Sequence, residues 1–366
     1  MSQSLQSPRL CRRALALTVA LPLFGCTGQS LPNSASVSPH PLASVASPTG
    51  GPDLIWLLDG QTPRHYLLFD WSARRVGAVS VEGQVQPAPD GRQALVNGTT
   101  LIDSTGTVLG KLQVGDADIG DVAWADDSLH ICVIKTPKTA SPNAGASSLW
   151  LMQPGQAARR IAAIGQPGSN PGITACSITN DRAVIASDFS THFPTGNKAV
   201  LTALVQVIKL STGAVVYQHD YLATPPVVPP LVMSSAEGRY LVETDSVSDS
   251  TVIRDVTGTT AATRLRGAMA EGFSGDSTRV VLTESMRAGT ALTVVDRATQ
   301  KVLWQQVVAS NAYLPHRNGV EILFAVERND GSNDIYLLPG VGPEVVIAHG
   351  AFLVSPCPCL GAGAGA

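Results

Sequence analysis

The chain has 366 residues, of which 44% are hydrophobic and 14% charged, and it carries a formal charge of −3. A chain this apolar can bury a large core, which excludes global disorder, and its mild acidity is not the basic footprint of a nucleic-acid binder. The 34 glycines and 25 prolines suit a fold with many turns.

The first 26 residues read as an export signal: Arg9, Arg12 and Arg13 precede an apolar run over 14–25 that is too short to span a bilayer. The run ends in Leu23-Phe24-Gly25-Cys26, which resembles the bacterial lipobox. That resemblance implies diacylation of Cys26 and membrane attachment through the lipid alone, on the extracytoplasmic side; the alternative is plain secretion. Loss of the signal removes three arginines and no acid, making the mature chain more acidic still. Residues 27–52 are mostly Ser, Pro, Ala, Gly and Thr, a composition that predicts a flexible tether. The tail 357–366 reads as a second disordered end.

From residue 53 a repeat begins. A short apolar strand meets a polar turn and then a stronger apolar strand. It recurs over 85–96 with the turn Ala88-Pro89-Asp90-Gly91, over 120–134 with Ala125-Asp126-Asp127-Ser128, and over 173–185 with Thr179-Asn180-Asp181. Three more copies follow: 231–242 with Ser235-Ala236-Glu237-Gly238, 271–282 with Ser274-Gly275-Asp276-Ser277, and 312–324 with Arg317-Asn318-Gly319. Asp, Asn, Ser and Gly suit the turn, which needs residues that tolerate left-handed backbone angles. Each copy is followed by a third strand and a turn into a fourth, such as Leu149-Trp150-Leu151-Met152 with Pro154-Gly155. Four short antiparallel strands in roughly 36 to 56 residues is the period of a propeller blade.

The chain is similar to bacterial WD-repeat-like and TolB-type β-propellers, whose inner turn often reads Ser-Pro-Asp-Gly, over 53–356. The Gly-His and Trp-Asp signatures of eukaryotic WD repeats are absent. Six complete copies leave three strands before the first copy and one strand, 351–356, after the last. Together these predict an all-β fold: a seven-bladed propeller of four-stranded antiparallel blades, closed by a C-terminal inner strand that joins the N-terminal blade. A monomer is expected.

Strand polarity places the loops between second and third strands on one face with the connections between blades. The longest predicted loops, 136–147, 190–198 and 220–229, all fall there, and insertions gathered on one face of a repeat array mark its binding side. His192, Phe193 and Tyr221 lie in these loops, and Arg64, His65, Arg287 and Arg328 are expected on the same face in other blades. A protein, peptide or glycan is the expected partner.

The sequence has no Gly-x-Ser-x-Gly elbow, no His-Glu-x-x-His and no glycine-rich phosphate loop, so no cofactor is expected. Cys357-Pro358-Cys359 lacks the two-residue spacer and second ligand pair of a zinc site. Cys132 and Cys176 sit in apolar strand-like runs, where buried free thiols and a disulfide are both open readings. A non-catalytic extracytoplasmic binding or scaffold protein is the favoured function. The alternative is a propeller-type hydrolase, lyase or lactonase with a channel metal, for which Asp121, Glu271 and Asn311 are the candidates by position on inner strands.

Overall fold

The structure, a computed structural model, describes residues 52–354 apart from 114–117, 137–145, 166–170, 193–199, 224–230, 246–249, 267–268, 287–288, 309–312, 318 and 329–330. The described residues form seven four-stranded antiparallel sheets, the blades of a β-propeller. We number the blades in chain order from the N-terminal one. Their inner strands are Ala351–Leu353, Val85–Pro87, Asp118–Trp124, Pro171–Ser177, Leu231–Ser234, Met269–Phe273 and Tyr313–Pro315. Blade 1 is composite, as predicted: Ala351–Leu353 pairs antiparallel with Leu54–Asp59, joining Leu57 to Leu353 and Asp59 to Ala351.

The strands are apolar on both sides because each blade is packed on both faces. Along Ile131–Thr136 of blade 3, Ile131 and Val133 enter the core shared with blade 2, while Cys132 and Ile134 enter the core shared with blade 4. In Ile322–Glu327 of blade 7, Ile322 and Phe324 turn to blade 6, and Leu323 and Ala325 turn to blade 1. The period of two that divides a strand between two sheet faces here divides it between two neighbours. Trp124, expected to be buried between blades, is 5% exposed and donates its indole N–H to the Gln86 carbonyl of blade 2 at 2.9 Å.

The turns between inner and second strands have the predicted backbone. Gly91, Ser128, Asp181, Gly238 and Ser277 all adopt positive φ, between 56° and 67°. At Gly91 a side chain is excluded twice over: φ is +67°, and a Cβ would lie 2.0 Å from the Leu54 carbonyl oxygen of blade 1. The same turns tie neighbouring blades together. Asp126 of blade 3 accepts the Ser177 hydroxyl at 2.7 Å and the Ile178 N–H at 2.8 Å from blade 4.

A second repeated device, not anticipated, closes the turns between third and outer strands. Asp70, Asp103, Asp255 and Asp296 each end a third strand and accept hydrogen bonds from Ser or Thr two to five residues on. In blade 4 the third strand has no such Asp, and Asp181 from the first turn binds the Ser211 N–H and hydroxyl instead. Asp255 is the most engaged: its buried side chain receives Arg239 at 2.9 Å and the hydroxyls of Thr257 and Thr259 at 2.6 Å. Burial would raise its carboxyl, but the hydrogen bonds from Arg239, Thr257 and Thr259 outweigh that and hold it far below the ordinary range.

Cys132 and Cys176 form a disulfide, which resolves the two open readings. It staples the second strand of blade 3 to the inner strand of blade 4, linking positions 44 apart in the sequence.

Two outcomes follow. Truncation before Ala351 removes the inner strand of blade 1 and bares the Leu54–Asp59 edge. It should lower the melting temperature sharply, whereas removal of 361–366 should leave it unchanged; equal melting of both would refute the closure. Asp255→Asn should destabilise the fold by about 1–3 kcal/mol at neutral pH by leaving its donors without a charged acceptor. Because the folded-state pKa of Asp255 is depressed, its contribution is present above the unfolded-state value near 4 and fades as pH falls below it. Urea melts from pH 7 to 2 should therefore show the gap between wild type and variant closing in acid.

Candidate functional site

Strand polarity gives the ring two unlike faces. The turn face carries the turns within blades just described, and both ends of the described chain lie there. Leu54 and Val354 stand where the other blades have their first turn, and the Leu54 N–H bonds the Asp90 carbonyl of blade 2 at 2.8 Å. The opposite face, the insertion face, carries the loops between second and third strands and the connections between blades.

On the insertion face blade 4 differs from the prediction. Residues 190–192 and 220–223 were expected in loops, but they belong to strands: Arg182–His192, Val200–Lys209 and Val215–Ala223 run 11, 10 and 9 residues. The β-branched, alternating run from Val200 pairs with both neighbours, His192 opposite Val200 and Tyr221 opposite Ala203. The extra length is therefore partly a three-stranded ribbon continuing beyond the inner strand, which pairs only as far as Ser187. Phe193 lies outside the described residues, as do Arg287, Asn311 and most of the predicted loop 136–147. At the base of that last loop Lys135, only 9% exposed, sits 4.1 Å over the Trp150 ring, and burial pushes its pKa down. This pair was not foreseen.

The structure brings Arg328 into a groove at the ring's seam. The groove holds about 350 Å3 between blades 7 and 1 and is lined by Gln61, Arg328, Ser332, His349 and Phe352 with three glycines. Asp334 organises it, accepting His349 Nδ1 at 2.8 Å and pairing with Arg328 Nη1 at 3.5 Å through the same oxygen. His349 is 68% and Arg328 49% exposed, so both side chains keep free surface toward solvent. Arg64 and His65 lie on this face in blade 1 but outside the groove. Arg64 pairs with Glu82 at 3.0 Å, and His65 Nδ1 meets the Ser80 hydroxyl at 3.1 Å. His192 and Tyr221 stand in blade 4, three blades away around the ring, so the described candidates do not form one cluster. His349 was legible only as a residue beside a strand, because the groove exists only once the last strand closes on the first.

The channel candidates have other work. Asp121 joins inner strands, accepting the Ile173 N–H of blade 4 at 2.7 Å and the Val122 N–H at 2.8 Å. Burial raises its pKa although those bonds oppose it. Glu271 accepts the Thr283 hydroxyl at 2.7 Å. Among the described residues no group of three or more His, Cys, Asp or Glu is placed to hold a metal ion.

On the turn face a smaller cavity, about 150 Å3, opens at the channel mouth. Trp56, Trp71 and Trp124 line it together with the ends of inner strands, His316 and Arg317. No sequence signal pointed to it, since its lining comes from several blades, with Trp56 and Trp71 from blade 1 and Trp124 from blade 3.

No family model matches the sequence, and no curated protein matches it. Solved structures resemble it over most of its length. A functionally unknown protein from Desulfotomaculum acetoxidans is 12% identical, with 83% of this chain and 99% of that one covered and a TM-score of 0.47. AztD from Citrobacter koseri is 9% identical, with 82% and 96% covered and a TM-score of 0.47. TolB from Acinetobacter baumannii is 14% identical, with 82% and 65% covered and a TM-score of 0.38. No residue role is transferred at these similarities. The assignment to the β-propellers rests on the chain's own strand pairing.

Proposed function

We propose that this protein is an exported, lipid-anchored β-propeller that binds a protein, peptide or glycan through its insertion face, without catalysis. The observation that carries the reading is the polar seam groove, with Arg328 and His349 exposed beside Phe352. A guanidinium, an imidazole, an amide and an aromatic ring in one concavity suit recognition of backbone carbonyls, carboxylates or sugar hydroxyls.

Two further observations support the anchored arrangement. Both ends of the described chain lie on the turn face, where a spacer running from Cys26 to residue 52 would join the ring. The Cys132–Cys176 disulfide suits an oxidising, extracytoplasmic compartment.

Localisation is tested by Cys26→Ser, which should move the exported chain from the membrane fraction to the soluble extracytoplasmic fraction. A chain that stays in the cytosol with Met1 intact would overturn the export reading, and one that stays on the membrane would overturn the lipid. Binding is tested by screening the mature chain against peptide and glycan arrays. A true ligand should bind Arg328→Ala roughly ten- to a hundred-fold more weakly, the range for loss of a charge-assisted hydrogen bond. Shortening 193–199 should weaken protein partners in the same direction. Ligands indifferent to both changes would place recognition elsewhere.

A further inference from the structure

The exposed apolar side chains of the ring are not scattered. Apart from Met269 and Val307, every exposed large hydrophobic side chain among the described residues stands in the first two positions of an outer strand or in the turn before it. Val76, Val108, Val215, Val302 and Val345 hold this position in blades 1, 2, 4, 6 and 7. Val341, 94% exposed, tips the turn that leads into the outer strand of blade 7. Outer strands run from the turn face to the insertion face, so these side chains form a collar around the rim of the turn face.

Charge follows the same line. Blades 3 and 5 present exposed Arg159, Arg160 and Arg264 at the corresponding positions, and exposed Arg74, Arg75 and Lys301 stand beside the apolar residues of blades 1 and 6. Between the ends of the third strands and these positions the sequence has a single acid, Glu344, which accepts the Trp304 indole N–H at 3.3 Å. The acids nearer the axis are committed between blades, Asp126 to Ser177 and Glu237 to Ser277. A chain with a formal charge of −3 thus carries a cationic rim on one face.

A ring of valines interleaved with arginine and lysine suits one kind of surface, the anionic phospholipid interface. Short apolar side chains enter among the headgroups, while guanidinium and ammonium groups meet the phosphates. A second copy of this chain is a poor occupant, because it would bring two cationic collars together. The position of the collar fits the chain path as well. Leu54 enters blade 1 on the turn face, and the neighbouring blade 7 carries Val341, Val345 and Val346. We propose that the collar is a peripheral contact for an anionic phospholipid surface, and that the anchored ring lies with its turn face on the membrane and its insertion face outward. This rests on the lipid anchor proposed above. A flexible spacer fixes no orientation by itself, and the collar is too sparse to hold the protein without the lipid. Tethered, it acts at high effective concentration and decides which face is down.

The chain from residue 27 onward, made without signal or lipid, is floated with phosphatidylglycerol or phosphatidylcholine vesicles at low ionic strength. It should bind the anionic vesicles, bind the neutral ones far less, and come off as salt is raised. Lys301→Glu should weaken binding roughly five- to thirty-fold, and Val341→Ser roughly two- to five-fold. Both side chains are exposed, so melting curves should match wild type. Lys111→Glu makes the same charge change at the insertion-face end of an outer strand and should leave binding nearly unaltered. The inference is overturned if anionic vesicles are not bound, if neutral vesicles are bound equally, or if Lys301→Glu and Val341→Ser bind as wild type does. It is overturned equally if Lys111→Glu matches Lys301→Glu, or if sedimentation shows a dimer that Val341→Ser dissociates. Because this chain carries no lipid, vesicle binding stands or falls apart from the anchor, which Cys26→Ser tests in cells.

Discussion

A four-stranded blade in this protein has two apolar faces and can bury neither by itself. Strands such as Ile131–Thr136 and Ile322–Glu327 send alternate residues to opposite neighbours, and seven hydrophobic clusters result, one at each junction between blades. Burying a large aliphatic side chain contributes about 1.5–3 kcal/mol, so a blade left without one neighbour loses several such contributions at once. Closure of the ring is thus the condition under which each blade becomes stable. The short strand Ala351–Leu353 carries that condition for the whole chain.

The two faces of the ring bear this constraint unequally. On the turn face, first turns are cross-linked between blades. Ser128 accepts from Asp90 of blade 2 and Arg317 of blade 7, Asp276 of blade 6 donates its N–H to the Gly319 carbonyl of blade 7, and Ser277 bonds Glu237 of blade 5. Side chains there are committed to neighbours, and the left-handed positions restrict which residues can stand at them. The insertion face carries connections whose lengths differ from blade to blade, and blade 4 has used that freedom to extend three strands. A rigid ring with one constrained face and one variable face can alter its recognition surface without disturbing its junctions.

Much of the fold was legible because a blade is a run of hairpins, made by residues close in sequence. Alternating apolar strands, Asp- and Gly-containing turns, three leftover strands at the N-terminal end and one at the C-terminal end sufficed to place seven blades and their closure. The Asp-Ser-Thr-Gly of Asp103 and the Asp-Val-Thr-Gly of Asp255 were equally open to a reading as a repeated turn, but they stand at different distances from the inner turns. Blade 4 was misread at its tip for a local reason: Ser190, Thr191 and His192 are small or polar residues that resemble loop, and pairing with Val200–Lys209 draws them into a strand.

What the sequence determined by itself is the blade and the number of blades, since both follow from local pattern. The tertiary structure alone decided which residues meet across junctions. Cys132 and Cys176 pair because one faces blade 4 and the other lies within it. Arg328, His349 and Phe352 form a groove because the ends of the chain are joined. Trp56, Trp71, Trp124 and His316 border one cavity because the turn-face ends of blades 1, 3 and 7 meet there. Arg317 reaches Ser128 across 189 residues of chain. No local pattern encodes such a contact, because it depends on the rotation accumulated over every blade between the two residues.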